Sequence, residues 1–231
     1  MSDELRRARI PGESLVDWLT RLDPYWGAQL VVLAALLLDV SLSRKVAIVK
    51  PSWVLPVLEG TVVIALVLAS PHPRLRHTPL RRHLSLVVVG IVSAANSISL
   101  VLLCVALLHH HAENGTALLG SGLVLWATNV MLFGVWYWLL DRGGPVSRTE
   151  DPCPNRPDFL FVQMTQPDYS PPNWKPRLVD YLYTSFTNAT AFSPTDTMPL
   201  SPTAKWLMAG QSLTALVTVG LVVARAVNIL Q

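Results

Sequence analysis

The sequence predicts an all-α membrane protein: a bundle of five transmembrane helices with a re-entrant-like hairpin before the last one. Three observations carry that reading. Half of the residues are apolar and only 14% are charged, a deficit that a soluble domain of 231 residues does not need to bury a core. Five apolar segments each approach the ~20 residues that span ~30 Å of hydrocarbon. Between the last two long ones lies YLYTSFTNATAFSPTDTMPLSP, Tyr181 to Pro202, an irregular run that survives in hydrocarbon only against protein or trapped water.

Residues 1–23 form an N-terminal surface segment. Leu15, Trp18, Leu19 and Leu22 recur at helical spacing after a cap at Ser14, with Glu13, Asp17 and Arg21 opposite; a short helix on the membrane surface and a frayed tail both fit. Charges run through Met1–Leu22 without an apolar core, so no signal peptide is expected there. Residues 24–140 hold four spanning segments, Tyr25–Leu42, Trp53–Ser70, Leu84–Leu108 and Ala117–Leu140, and Ala204–Leu230 is the fifth. Trp26, Trp53, Trp136, Trp138 and Trp206 sit near segment ends, as rings at the headgroup level do. The second segment is the weakest, since it carries Pro56 and Glu59.

Lys and Arg set the orientation. With the N-terminus inside, fourteen fall on the inner side and only Arg44, Lys45, Lys50 and Arg225 on the outer. The excess predicts N-in, C-out. The formal charge of +3 is accordingly read as topology and lipid contact, and no pattern favours nucleic acid. Arg outnumbers Lys, a hint of a bacterial plasma membrane and a multi-pass protein within it. The lipid bilayer is the first expected partner. Cys104 and Cys153 suggest neither a disulfide framework nor a zinc site.

Polar groups within apolar segments come next. Asp39 and Glu59 lie at similar depth beside Arg44, Lys45 and Lys50; an ion or proton site and simple pairing with those bases are both open, pairing being the stronger. Asn96 and Asn129 fall near mid-membrane on antiparallel neighbours, which predicts a cross-helix hydrogen bond, with Ser93 and Ser97 allowing close approach. A polar lining is the alternative. His109, His110 and His111 are consecutive and point apart on a helix, so no metal site and no cofactor is expected. No P-loop, GxSxG, HExxH or GxGxxG occurs, and the chain is not expected to be an enzyme.

Residues 141–176 read as a polar loop, rich in Pro, Asp, Asn and Arg and nearly without periodicity. Residues 177–231 comprise the hairpin and last helix. Leu178, Tyr181, Leu182, Ser185 and Phe186 share one face of a short helix, and Ser201-Pro202 supplies a cap with Pro in the first helical position.

This arrangement resembles the pore module of potassium channels over about fifty residues. Tyr183, Ser185, Phe186 and Thr190 fall where the pore helix carries similar residues, Asp196 and Pro199 repeat a D-x-x-P after the filter, and Val222, Ala224, Arg225 and Val227 resemble the inner helix's ending. The filter departs from the pattern. Where the family reads T-V-G-Y-G, this chain reads Ala191-Phe192-Ser193-Pro194-Thr195; both glycines are gone, and Pro194 locks φ and removes an N–H. The resemblance therefore implies a channel-like or solute-permeating protein lacking usual potassium selectivity. Its ion-facing candidates are Thr187, Thr190, Ser193, Thr195 and Asp196, and a homo-oligomer would be needed to close a pore, with ions as possible partners. Asp180-Tyr181, Tyr183, Ser185-Phe186-Thr187, Ser193, Asp196-Thr197 and Ala226-Val227-Asn228 also look like a family of bacterial multi-spanning inner-membrane proteins of unknown function, over nearly the whole architecture. That likeness leaves room for a non-conducting structural or partner-binding protein that keeps the hairpin for packing. A channel-type hairpin faces outside, whereas the charge count places this one inside.

Overall fold

The computed structural model describes residues 24–43, 79–108, 115–150, 153–171, 174–190 and 196–229. The N-terminal segment, Trp53–Ser70 with Glu59, the histidine triplet and residues 191–195 lie outside the described residues. The described chain is mostly helical. Its helices are α1 (Trp26–Ser43), α2 (Pro79–Leu108), α3 (Gly115–Leu140), the single turn α4 (Val162–Thr165), α5 (Leu178–Ala189) and α6 (Pro202–Ile229). Three of them, α2, α3 and α6, are long and apolar enough to cross a membrane; α1 is apolar over the shorter run Trp26–Leu38. Helix α2 begins five residues before the apolar segment does. Pro79 occupies its first turn, where the missing N–H costs nothing.

Helix α3 is the hub, packing against α1, α2, α5 and α6. The ring contacts fix directions. Tyr25, just before α1, meets Trp138, near the end of α3, edge-on at 5.6 Å. Ser85 and Val89 of α2 share a small cavity with Tyr25, Gln29 and Leu139. The starts of α1 and α2 and the end of α3 therefore meet at one end of the bundle, called the base below. Helices α5 and α6 also start there. Along α3, Gln211 of α6 meets Tyr137, while Val222 presses on Gly122 so closely that a Cβ would collide with it.

The outer faces of the long helices are apolar, and polar side chains lie buried beside the apolar core. Asn96, Ser121, Thr128, Asn129, Ser185, Gln211 and Thr218 are buried, while Val87, Ile98, Val101, Leu213, Leu216 and Val223 face outward. In water the hydrophobic effect disfavours so much outward apolar surface. Beside hydrocarbon, polar side chains turn inward to find partners and apolar ones lose nothing by pointing out.

The segment expected to be a polar loop is organised into short elements. Helix α3 ends in a 3-10 turn, Asp141–Gly143, and Arg142, Gly143 and Gly144 all take positive φ (52°, 78° and 107°), the left-handed region that glycine enters freely. A second 3-10 turn follows at Ser147–Thr149. Strand β1 (Phe159–Phe161) then pairs antiparallel with β2 (Thr197–Pro199), in the register Phe159↔Pro199, Leu160↔Met198 and Phe161↔Thr197. The period of two puts Phe159 and Phe161 on one buried face. There they meet Tyr137 at 5.1 Å, Tyr181 at 6.2 and 5.2 Å, and Trp174 at 5.8 Å. Aromatic burial of this size folds the segment despite its polar composition.

Candidate functional site: the short helix α5 and its polar contacts

Helix α5 is opened by a local cap. The Asp180 carboxylate accepts the Arg177 N–H at 2.6 Å, satisfying one donor at the helix start. Along α5, Tyr181, Thr184, Ser185 and Asn188 recur at i, i+3, i+4 and i+7 and are buried, whereas Val179, Tyr183 and Phe186 are exposed. The polar stripe faces protein and the apolar side faces out.

The helix runs back along α3. Leu178 touches Gly27 of α1, where an added Cβ would sit 3.2 Å from its Cδ2; Leu182 lies on Gly134, where a Cβ would come within 2.6 Å. Ser185 Oγ–H donates to Val130 O at 2.7 Å. Phe186 meets Trp126 edge-on at 5.8 Å, and Trp126 Nε1–H reaches Ala189 O at 3.5 Å. From the base to Trp126 is roughly 20 Å of helix axis at 1.5 Å per residue.

At mid-length the stripe closes into a network. Gln211 Oε1 accepts from Tyr137 Oη–H and, at 2.9 Å, from Asn188 Nδ2–H. Gln211 Nε2–H donates to Ser185 O and Ser185 Oγ at 2.8 and 2.6 Å. Asn188 Nδ2–H also donates to Met208 O at 2.9 Å, and Ser212 Oγ–H donates to Asn188 Oδ1 at 3.0 Å. Gln211 is wholly buried. Neutral amides and hydroxyls thus tie α3, α5 and α6 together.

At the base the groups are charged. The Asp141 carboxylate, wholly buried, accepts Tyr181 Oη–H at 2.5 Å on Oδ2 and the Asp158 and Phe159 N–H groups at 2.7 and 3.3 Å on Oδ1. Arg148 is 6% exposed and donates from Nη1 to Trp138 O and Asp141 O at 2.7 and 2.8 Å. Its guanidinium lies 5.4 Å from the Trp138 ring and 5.2 Å from the Tyr181 ring, a cation–π sandwich. Burial pushes Arg148 below its ordinary pKa, and the neighbouring Tyr181 and Asp141 push it back up.

Of the sequence-predicted residues, Thr187 and Thr190 each donate within their own helix, Thr187 to Tyr183 O and Thr184 O (3.1 and 3.0 Å) and Thr190 to Phe186 O and Thr187 O (both 3.1 Å). Asp196 is exposed; its Oδ2 accepts Tyr183 Oη–H at 3.3 Å and its carbonyl accepts Val162 N–H at 3.2 Å. Ser193, Thr195 and Glu59 lie outside the described residues, as does the side chain of Asp39 in α1. Asn96 and Asn129 are buried, but the cross-helix bond expected between them is not made. Each Oδ1 is buried without a hydrogen-bond partner, and any bond between the two amides would use one of those oxygens. A hydrogen bond between α2 and α3 runs from Trp136 Nε1–H to Ser93 Oγ at 2.9 Å. Among the described residues no group of three His, Cys, Asp or Glu side chains is placed to hold a metal.

Sequence reasoning missed Tyr137, Gln211, Asp141 and Arg148. Gln211 had a signal, an amide inside a long apolar helix. Asp141 and Arg148 had none, because their roles depend on strands and turns that close over a long separation. No protein-family model, curated protein or solved structure matches the chain.

Proposed function

We propose that this chain is a multi-pass integral membrane protein of the bacterial plasma membrane, non-enzymatic, in which α5 is a re-entrant helix retained as a structural or partner-binding element and not as a conduction path. The observation that carries the reading is the closed network at Gln211. Conduction needs polar groups turned toward a lumen; here Ser185, Asn188 and Gln211 are turned toward one another and toward α3. The outward side of α5, with Val179, Tyr183 and Phe186, suits lipid or a second copy of the chain.

Five crossings are favoured by direction. Helices α1 and α2 both start at the base, and Trp53–Ser70 is the apolar stretch in the sequence between them. With the charge count, the base and the opening of the hairpin lie on the inner side.

A permeating homo-oligomer is the second reading, and one cavity favours it. About 220 Å³ at the foot of the hairpin is lined by Gln163, Asp180, Tyr183, Asp196 and Thr197, two carboxylates that would draw cations. Purified protein in liposomes decides between them. Ion flux at background for the wild type, together with loss of assembly on deleting Arg177–Pro199, is the expected result. Flux above background that Asp196→Asn alters would replace this reading with permeation.

A further inference from the structure

Where α1 begins, α3 ends and α5 begins, the base holds a cavity of about 420 Å³. The volume suits a ligand of moderate size. Its walls are apolar, with Trp26, Trp138, Leu178 and Leu182, and its charged members are Arg148, Lys175 and Arg177; among the described residues no carboxylate lines it. The first turns of two helices also open onto it, Gly27 and Ala28 from α1 and Leu178 and Val179 from α5. Helix starts carry partial positive charge and favour anions. At α1 this field adds to that of the three cations, whereas at α5 the Asp180 carboxylate that caps the helix offsets it.

Arg148 is the second, independent observation. It is almost fully buried, yet both of its hydrogen bonds leave Nη1 for neutral carbonyls. The nearby Asp141 carboxylate is occupied by Tyr181 and two backbone N–H groups. Nε and Nη2 make no hydrogen bond among the described residues, and neither is a fully buried orphan. Arg148 also lines the cavity. A buried cation without a contact anion is costly, and an anion in the cavity would relieve that cost.

Apolar walls exclude a bare hydrated ion as the best fit, and position selects the ligand further. Trp26 and Trp138 stand at helix ends, the level at which indole rings meet headgroups. We infer that this cavity binds one anionic phospholipid from the inner leaflet, with its phosphate held by Arg148, Lys175 and Arg177 and its upper acyl chain against Trp26, Leu178 and Leu182. Such a lipid would bridge α1 to the start of α5 and hold the hairpin's foot in place. The inference rests on membrane insertion but not on whether the protein conducts.

The test uses the full chain in neutral detergent, with phosphatidylglycerol, phosphatidylcholine of the same chains, or inorganic phosphate added. Thermal unfolding and native mass spectrometry are the readouts. Phosphatidylglycerol should raise the midpoint and give a one-lipid adduct, and the other two should do neither. Lys175→Gln with Arg177→Gln should weaken that binding about thirtyfold, roughly fivefold per cation lost near a bilayer surface. Both side chains are exposed, so the lipid-free midpoint should hold; if it falls, Lys175→Gln alone should show about the single-cation loss. Equal stabilisation by phosphatidylcholine would make the site an unselective groove and overturn the inference. Equal stabilisation by inorganic phosphate would make it a free-anion site and overturn it too, as would no response to phosphatidylglycerol. Carbonate extraction of cell membranes is run in parallel: release of the protein would sink the membrane reading, whereas retention without lipid selectivity would sink only the lipid site.

Discussion

The base of the bundle and its middle solve the same problem with different chemistry. At the base, an ionised side chain, Arg148, and a wholly buried carboxyl group, Asp141, are held by carbonyls, N–H groups, a phenol and two aromatic faces. In the middle, the groups at the junction of α3, α5 and α6 are all neutral: Tyr137, Ser185, Asn188, Gln211 and Ser212. The difference teaches where charge is tolerated. At the ends of the apolar helices the chain leaves its regular path, and the freed backbone groups of a turn solvate an ion. Deeper, the chain keeps its helical path, and the buried groups are neutral amides and hydroxyls that bond one another and helix carbonyls.

Substitutions at the two levels should therefore differ in size. Asp141→Ala should be the most damaging, leaving Tyr181 Oη–H and two N–H groups buried without their acceptor and Arg148 without the nearby carboxylate. The expected cost is about 3–5 kcal/mol, read as loss of monodisperse protein on size exclusion in detergent. Gln211→Leu removes a neutral hub and should cost about 2 kcal/mol. Hydrogen bonds within membranes average only ~0.6 kcal/mol each, but this change also leaves Tyr137 Oη–H buried without its acceptor. A lowered thermal midpoint with an intact elution profile would be the sign. If Gln211→Leu proves worse than Asp141→Ala, the contrast between the levels is wrong. Smallest of all should be Asn129→Leu. Its amide oxygen already lacks a partner, so an apolar replacement should leave the midpoint within about 1 kcal/mol of wild type, or raise it.

Asn129 also marks how far the sequence can be read. The long helices are legible because apolar runs of spanning length with few charges admit little else: α2, α3 and α6 lie where hydropathy puts them. The start of α6 is legible too, since Ser201 Oγ accepts the Ala204 N–H at 3.2 Å as a Ser-Pro start implies. What fails is pairing. Asn96 and Asn129 match in depth, but depth says nothing of rotation about the helix axis, and it is Ser93 that faces Trp136. The segment after α3 looks structureless in sequence because a three-residue strand is too short to show a period. Its partner lies some forty residues on, beyond the reach of any local pattern. The hydroxyls of Thr187 and Thr190 are visible as oxygens near a hairpin; that they donate to carbonyls of their own helix follows from rotamers that the sequence does not print.

The pairing of Phe159–Phe161 with Thr197–Pro199 has a consequence for biogenesis. The two strands flank α5 in the chain, so their ribbon is a clasp that ties the segment before it to the segment after it. A nascent chain that has emerged only as far as residue 190 holds the first half of that clasp and nothing to fasten it to. The short helix can then be locked in its slot only after translation has passed residue 199, as the closing helix is itself handed to the bilayer.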